Sequence, residues 1–163
     1  MPTFYFESSG LLKKYKTELG TAVIEEVFTG RRDDELYVTS YLTLIEGYGT
    51  FRRLLNNREI SQLLFETYLG NIARDLSDSF VVYKVSDYIA IEAARYARDY
   101  GLRSADTIQL VTAVQVRDQG LPQPIYFLAS DRRLKNVSHD VGFEVLDPEE
   151  PDALARLRAF RGC

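Results

Sequence analysis

The feature that most limits what this chain can become is a set of five short runs rich in β-branched and aromatic residues. They are Thr3–Glu7, Leu36–Ser40, Phe80–Val85, Ile125–Ala129 and the weaker Phe143–Leu146. Several are nearly all apolar rather than alternating, the pattern of strands buried on both faces. Helical periodicity fills the gaps. Ser8 or Ser9 is placed to cap a helix over Leu11–Glu18, and Thr21 to cap one over Ala22–Phe28. Over Tyr41–Leu55 the spacing lays Tyr41, Leu44, Ile45, Tyr48, Phe51 and Leu55 along one stripe. Ile60–Asp75 and Asp87–Tyr100 follow, the latter stopped by Gly101. Ser104 caps a helix through Arg117, and Asp131 or Ser130 opens a short one to Val137. Strands alternating with helices predict an α/β three-layer sandwich: a central, mostly parallel five-stranded sheet flanked by helices.

A chain of 163 residues suits one such domain. The spacing assigns residues 1–147 to it and leaves 148–163 as a C-terminal tail, with two prolines and then a short amphipathic turn that docks at the rim. No repeat, low-complexity tract or long linker interrupts the pattern. No apolar run is long enough to span a bilayer, and the segment MPTFYFESS lacks the basic flank of a secretory signal. The single cysteine, Cys163, excludes an intramolecular disulfide and suits a reducing compartment, so a cytoplasmic location and no membrane partner are expected.

What the chain lacks narrows its chemistry. One histidine, His139, excludes paired imidazoles and a His-rich zinc site. Phosphate-binding glycine loops and a nucleophile elbow are missing too. The formal charge of −4 argues against a uniformly basic surface for duplex binding. Carboxylates are the main reactive inventory.

Four of them stand out, and each has a plain structural use. Glu7 ends the first strand, where an acid is simply solvated. Glu46 lies on the helix after the second strand, off its apolar stripe and near Leu42, Gly49 and Arg53. Gly49 is odd on a solvated face, and a closely approaching backbone or ligand would explain it. Asp106 sits in the first turn of its helix, where it complements the dipole, yet Leu110 and Ala113 on its face turn it inward. Asp131 follows the most apolar strand in a common helix-capping sequence. Together they differ from the sum of their parts. In open α/β folds ligands bind beyond the carboxyl ends of the strands, and that edge collects all four. Acids so placed repel and raise one another's pKa unless a cation meets them. Oxygen-only ligands select a hard ion, Mg²⁺ or Mn²⁺.

These residues carry a resemblance along almost the whole chain. ESSGLLK from Glu7, the Glu46 helix, LRSADTIQL around Asp106 and FLASDRRL around Asp131 resemble, in order and spacing, the successive motifs of PIN domains, above all the VapC-type toxins. The resemblance implies a Mg²⁺- or Mn²⁺-dependent endoribonuclease, the toxin of a toxin–antitoxin pair, with a cognate antitoxin that blocks the site and a homodimeric state. By position, Glu7 and Asp106 match the principal metal ligands. Glu46 and Asp131 match the remaining catalytic acids, Asp131 nearer a second metal, and Ser9 matches the hydroxyl that sets the first acid. Two positions depart from the family pattern. The first acid is Glu7 rather than Asp, one methylene longer, and Ala129 stands where a Ser or Thr is usual, with Ser130 beside it.

Water activated by the cation is the expected nucleophile, attacking a backbone phosphorus in line. Arg52, Arg53, Arg103, Arg132 and Arg133 lie near the acidic motifs, within reach of RNA phosphates or simply solvated. Single-stranded or looped RNA is the expected substrate, since nothing reads as a groove-binding helix. The alternative is a catalytically weakened PIN-like module that binds RNA or a protein partner, with Glu7 the cause. A receiver domain would need an Asp ending the third strand and a Lys ending the last, and a DxD phosphatase would need a second acid after Glu7. Neither matches.

Overall fold

The computed structural model describes residues 1–162; Cys163 lies outside the described residues. Five strands, β1 (Thr3–Phe6), β2 (Leu36–Ser40), β3 (Val81–Tyr83), β4 (Ile125–Leu128) and β5 (Glu144–Leu146), form one sheet in the order β3-β2-β1-β4-β5. Every pairing is parallel, with Thr3 opposite both Leu36 and Ile125. The predicted strands are all present, trimmed by up to three residues at their ends. The α/β three-layer sandwich read from the sequence is the fold observed.

The central strand explains the sandwich. Phe4 and Phe6 enter one core with Tyr37, Tyr126 and Leu128, while Tyr5 enters the other with Val38, Phe127 and Ala129. All three β1 aromatics are fully buried, because successive side chains leave a strand on opposite faces. The first face is covered by α1 (Ser8–Leu12), α2 (Thr21–Thr29), α3 (Tyr41–Asn56), α4 (Gln62–Ser79) and α8 (Ala153–Arg161). The second is covered by α6 (Ser104–Asp118) and α7 (Arg132–Asp140), with α5 (Asp87–Tyr100) packed outside α6. No described helix is long and apolar enough to cross a membrane.

Four local expectations are corrected. Neither Ser8 nor Ser9 caps α1: both lie inside it, and Glu7 is the N-cap, accepting from the Ser9 amide. The helix ends at Leu12, far short of Glu18. Thr21 is likewise the first residue of α2; its hydroxyl bonds the Lys13 carbonyl and the Glu18 amide, pinning the intervening loop. Ser104 is the first residue of α6, whose N-cap is Arg103 with no side-chain capping bond.

The fourth correction concerns α3. Tyr41, Ile45 and Tyr48 are exposed, and the buried face is Thr43, Gly47, Phe51 and Leu54. Gly47 is the reason. A Cβ there would stand 2.6 Å from Ile72 Cδ1 and 3.2 Å from Leu12 Cδ2, so the missing side chain lets α3 approach α4 and α1 by this face. Close approach belongs to Gly47, not Gly49, beside which the nearest atom is Arg53 NH1 at 3.7 Å. That rotation swings Glu46 from the outer surface toward the edge of the sheet.

Candidate active site

The chain runs from β1 outward to β2 and β3, then returns across β1 to add β4 and β5 on the other side. The reversal falls between β1 and β4, and a crevice outside the carboxyl ends of such strands is where open α/β sheets bind ligands. Here it is a cavity of about 340 Å³ whose lining includes Glu7, Glu46, Asp106 and Asp131, together with Ser8, Ser9, Ser130 and Arg103. All four acids singled out in the sequence reach it.

Glu7, at the end of β1, is 3% exposed. Its Oε2 accepts from the Ser9 amide at 2.9 Å and from the Ser9 hydroxyl. Ser9 Oγ in turn accepts the Ser130 amide at 3.1 Å, tying the end of β1 to the turn after β4. Burial pushes the Glu7 carboxyl up to about 7, and the nearby charges of Glu46 and Asp106 add to the rise against the bonds from Ser9.

Glu46 is held from two sides. Ser8 Oγ donates to its Oε2, and Gln109 Nε2 lies 3.2 Å from the same oxygen. That amide also reaches Ser8 Oγ and Thr43 Oγ1, each at 2.9 Å, while Gln109 Oε1 accepts from the Tyr5 hydroxyl at 2.8 Å. Burial drives the Tyr5 phenol well above its ordinary pKa, so it stays a neutral donor. Sequence reasoning missed Gln109, Thr43 and Tyr5. The signal for Gln109 was its place one helical turn after Asp106, a polar residue in the otherwise apolar run TIQLV.

Asp106 and Asp131 form a separate pair. Asp106 is carried into the cavity by the first turn of α6 and is 9% exposed. Asp131 is the N-cap of α7, its Oδ1 accepting the Leu134 amide at 2.9 Å. Arg103 bridges the two, Nε to Asp106 Oδ2 at 3.0 Å and NH2 to Asp131 Oδ2 at 3.2 Å. The expected cluster of four mutually facing acids is therefore divided: one pair wired through serine hydroxyls and Gln109, the other bridged by a guanidinium.

Among the described residues no three acids close on a single point as ready-made ligands. The donor set nevertheless fits a hard divalent cation. It offers only oxygens, it holds a buried carboxylate satisfied by hydroxyl and amide donors rather than by a cation, and Ser130 Oγ, in the cavity wall, is buried without a partner. Glu7, Asp106, Asp131 and Glu46 are the carboxylates that would be available to such an ion.

No protein-family model matches the chain. Two curated proteins of Mycobacterium tuberculosis, ribonuclease VapC45 of strain CDC 1551 and ribonuclease VapC49 of strain H37Rv, are each 28% identical over 155 residues, covering 91% of this chain and all of the relative. Among solved structures, M. tuberculosis VapC20, described as a toxin cleaving the sarcin–ricin loop, superposes with a TM-score of 0.62 at 14% identity, over 87% of this chain and 98% of that one. FitAcB from Neisseria gonorrhoeae gives 0.57 at 12% identity, over 89% and 97%. The chain is thus similar, over nearly its whole length, to VapC ribonucleases in sequence, and it shares its α/β fold with VapC20 and FitAcB.

Proposed function

We propose that the protein is an endoribonuclease, the toxin of a toxin–antitoxin pair, dependent on Mg²⁺ or Mn²⁺ and acting through Glu7, Glu46, Asp106 and Asp131. One observation carries the reading: the four acids line a single cavity at the topological switch point of the sheet, in a chain that matches named ribonucleases over 91% of its length.

Each residue has a definable task. Ser9 fixes the rotamer of Glu7 and, through the Ser130 amide, its distance from the Asp131 turn. The hydroxyl and backbone bonds to Ser9 are how the fold accommodates a Glu in place of Asp, since they anchor the longer side chain at its tip. Ser8 and Gln109 orient Glu46 toward the cavity. Asp106 and Asp131 supply carboxylates from the other wall. A bound divalent ion would supply water activation near neutral pH and neutralisation of charge developing on the phosphate. Binding it requires Glu7 to give up the proton that burial favours, so cation and proton compete there.

The partners follow the same reading. RNA is the substrate, a cognate antitoxin the inhibitor, and a homodimer the working state. Tyr41, Ile45 and Tyr48 on α3, Leu63 and Leu64 on α4 and Tyr88 and Ile91 on α5 are large apolar side chains left exposed, which supports burial against protein partners. A cytoplasmic location is proposed with them.

The test is cleavage of structured RNA by wild type and Asp106→Asn, with and without Mn²⁺. Wild type should cut only with the ion, and the variant, folded as judged by circular dichroism, should not cut. Undiminished cleavage by Asp106→Asn, or by wild type in excess EDTA, defeats the mechanism. Cation binding without any RNA cleavage would favour the binding-module alternative.

A further inference from the structure

We propose that Arg103 is a displaceable stand-in for the divalent cation: it holds Asp106 and Asp131 together in the cation-free protein, and on loading it swings out to bind a substrate phosphate. The inference rests on the cation-dependent reading above and names a residue that reading does not need.

The hydrogen-bond inventory of Asp131 makes the case. Its Oδ1 is committed to the Leu134 amide at 2.9 Å, the capping bond that starts α7. Its Oδ2 is the oxygen that meets Arg103 NH2. Oδ2 is thus the oxygen that an ion could take without sharing the α7 capping bond, and Arg103 stands there. Asp106 likewise faces Arg103, its Oδ2 receiving Nε at 3.0 Å. An ion held between these two carboxylates would stand beside the guanidinium, and positive charges at that separation repel. The two compete for the same pair of acids.

Arg103 is built to lose this contest. Its side chain is 77% exposed, against 13% for Asp106 and 35% for Asp131. Ion pairs with so accessible a partner are weak, and as the residue preceding α6 it makes no capping bond that would tie it down. Once displaced, it remains at the wall of the cavity with a planar fork of donors, the geometry that suits a phosphate's oxygens. Loading of the ion and readiness for substrate would then be one event, and in the empty protein the acids are spared mutual repulsion. A fixed brace, by contrast, would stay on both carboxylates when the ion binds.

Calorimetric titration of Mn²⁺ into wild type, Arg103→Ala and Arg103→Lys tests the first half. Cleavage kinetics on a labelled single-stranded oligoribonucleotide at saturating Mn²⁺ test the second. Arg103→Ala should bind Mn²⁺ about fivefold tighter, the scale of two exposed ion pairs that no longer need breaking. Its kcat/KM should fall about tenfold, mostly through KM, as for loss of a charged phosphate contact. Arg103→Lys, which keeps the charge but not the fork, should fall between wild type and Arg103→Ala in both measurements. Mn²⁺ affinity that is unchanged or weaker in Arg103→Ala makes Arg103 a brace and overturns displacement. An unchanged KM overturns the phosphate contact. If wild type itself binds no Mn²⁺, the cation-dependent reading falls together with this one; if wild type binds and Arg103→Ala binds no tighter, only the role of Arg103 is lost.

Discussion

The side-chain amide of Gln109 donates to Ser8 Oγ at 2.9 Å, joining residues 101 positions apart directly beneath the cavity. Through the same nitrogen it meets Thr43 and Glu46, and its carbonyl takes the Tyr5 hydroxyl. One neutral amide thus links β1, α1, α3 and α6. Buried polar groups that lose a partner cost about 1–3 kcal/mol. Gln109→Leu, similar in bulk, should therefore lower the midpoint of thermal unfolding by roughly 5 °C for a chain of this size. RNA cleavage should fall too, because Glu46 loses a donor. A variant as stable as wild type would show that water replaces the amide and that the network is not structural.

Glu7 makes stability depend on pH in an unusual direction. Its folded pKa of about 7 lies above the ordinary value of 4.5, so the folded state holds the proton more tightly than the unfolded chain. The resulting stabilisation is complete below about pH 4.5 and is lost as pH rises through 7, on the order of 3 kcal/mol for this group. Glu7→Gln, which cannot ionise, should remove that component, and urea unfolding of both proteins between pH 4.5 and 8 measures it as a difference. Mg²⁺ should stabilise wild type at pH 8 and have little effect at pH 5, where it must displace a proton. Identical pH profiles for the two proteins would mean that Glu7 is solvated.

Gly10 lets α1 lie against β4. A Cβ at this position would be 2.8 Å from the Leu128 carbonyl oxygen and 3.2 Å from its carbon, backbone atoms that cannot rotate away. The same oxygen accepts the Glu7 amide at 3.1 Å. Gly10→Ala must therefore push α1 off the sheet or break that bond. We expect a loss of about 1–3 kcal/mol, the usual scale of overpacking, read from chemical denaturation, and an activity loss larger than stability alone explains, because Glu7 and Ser9 move with the helix. An unaltered denaturation midpoint would contradict the tight fit.

Arg161, at the end of α8, forms a two-pronged ion pair with Glu35, at 2.7 and 2.9 Å, and also donates to the Val27 carbonyl at 2.8 Å. Both side chains are at least 95% buried. Removing one partner of such a pair strands the other charge and costs about 3–5 kcal/mol. Arg161→Met should be strongly destabilised, and adding Glu35→Gln should recover much of the loss, which a double-mutant cycle by urea unfolding would resolve. A single variant near wild-type stability would show that Glu35 finds water or a proton instead.

Much of the fold was legible because its signals are local. The five strands are short apolar runs, and a strand covered on both faces needs no long-range information to be recognised. The cap at Asp131 was visible for the same reason: a carboxylate three residues before the amide that donates to it requires nothing distant. The face of α3 was misread because periodicity weighs hydrophobicity, whereas the helix is set by Gly47, whose role exists only when Ile72 and Leu12 stand opposite it. Ser8 and Ser9 look like caps in sequence, but their hydroxyls are recruited by Glu46 and Glu7. Arg103 looked like one of several solvated arginines until the fold brought Asp131 beside Asp106.

The amino-acid order by itself determined the alternation of strand and helix, the parallel sheet and the four acids worth following, because run length, period and residue chemistry belong to neighbouring positions. Only the tertiary structure decided that those acids stand as two differently bonded pairs, one held by Ser8, Ser9 and Gln109 and one bridged by Arg103. That outcome depends on which donors arrive from distant segments once both faces of β1 are buried, and no local pattern encodes it.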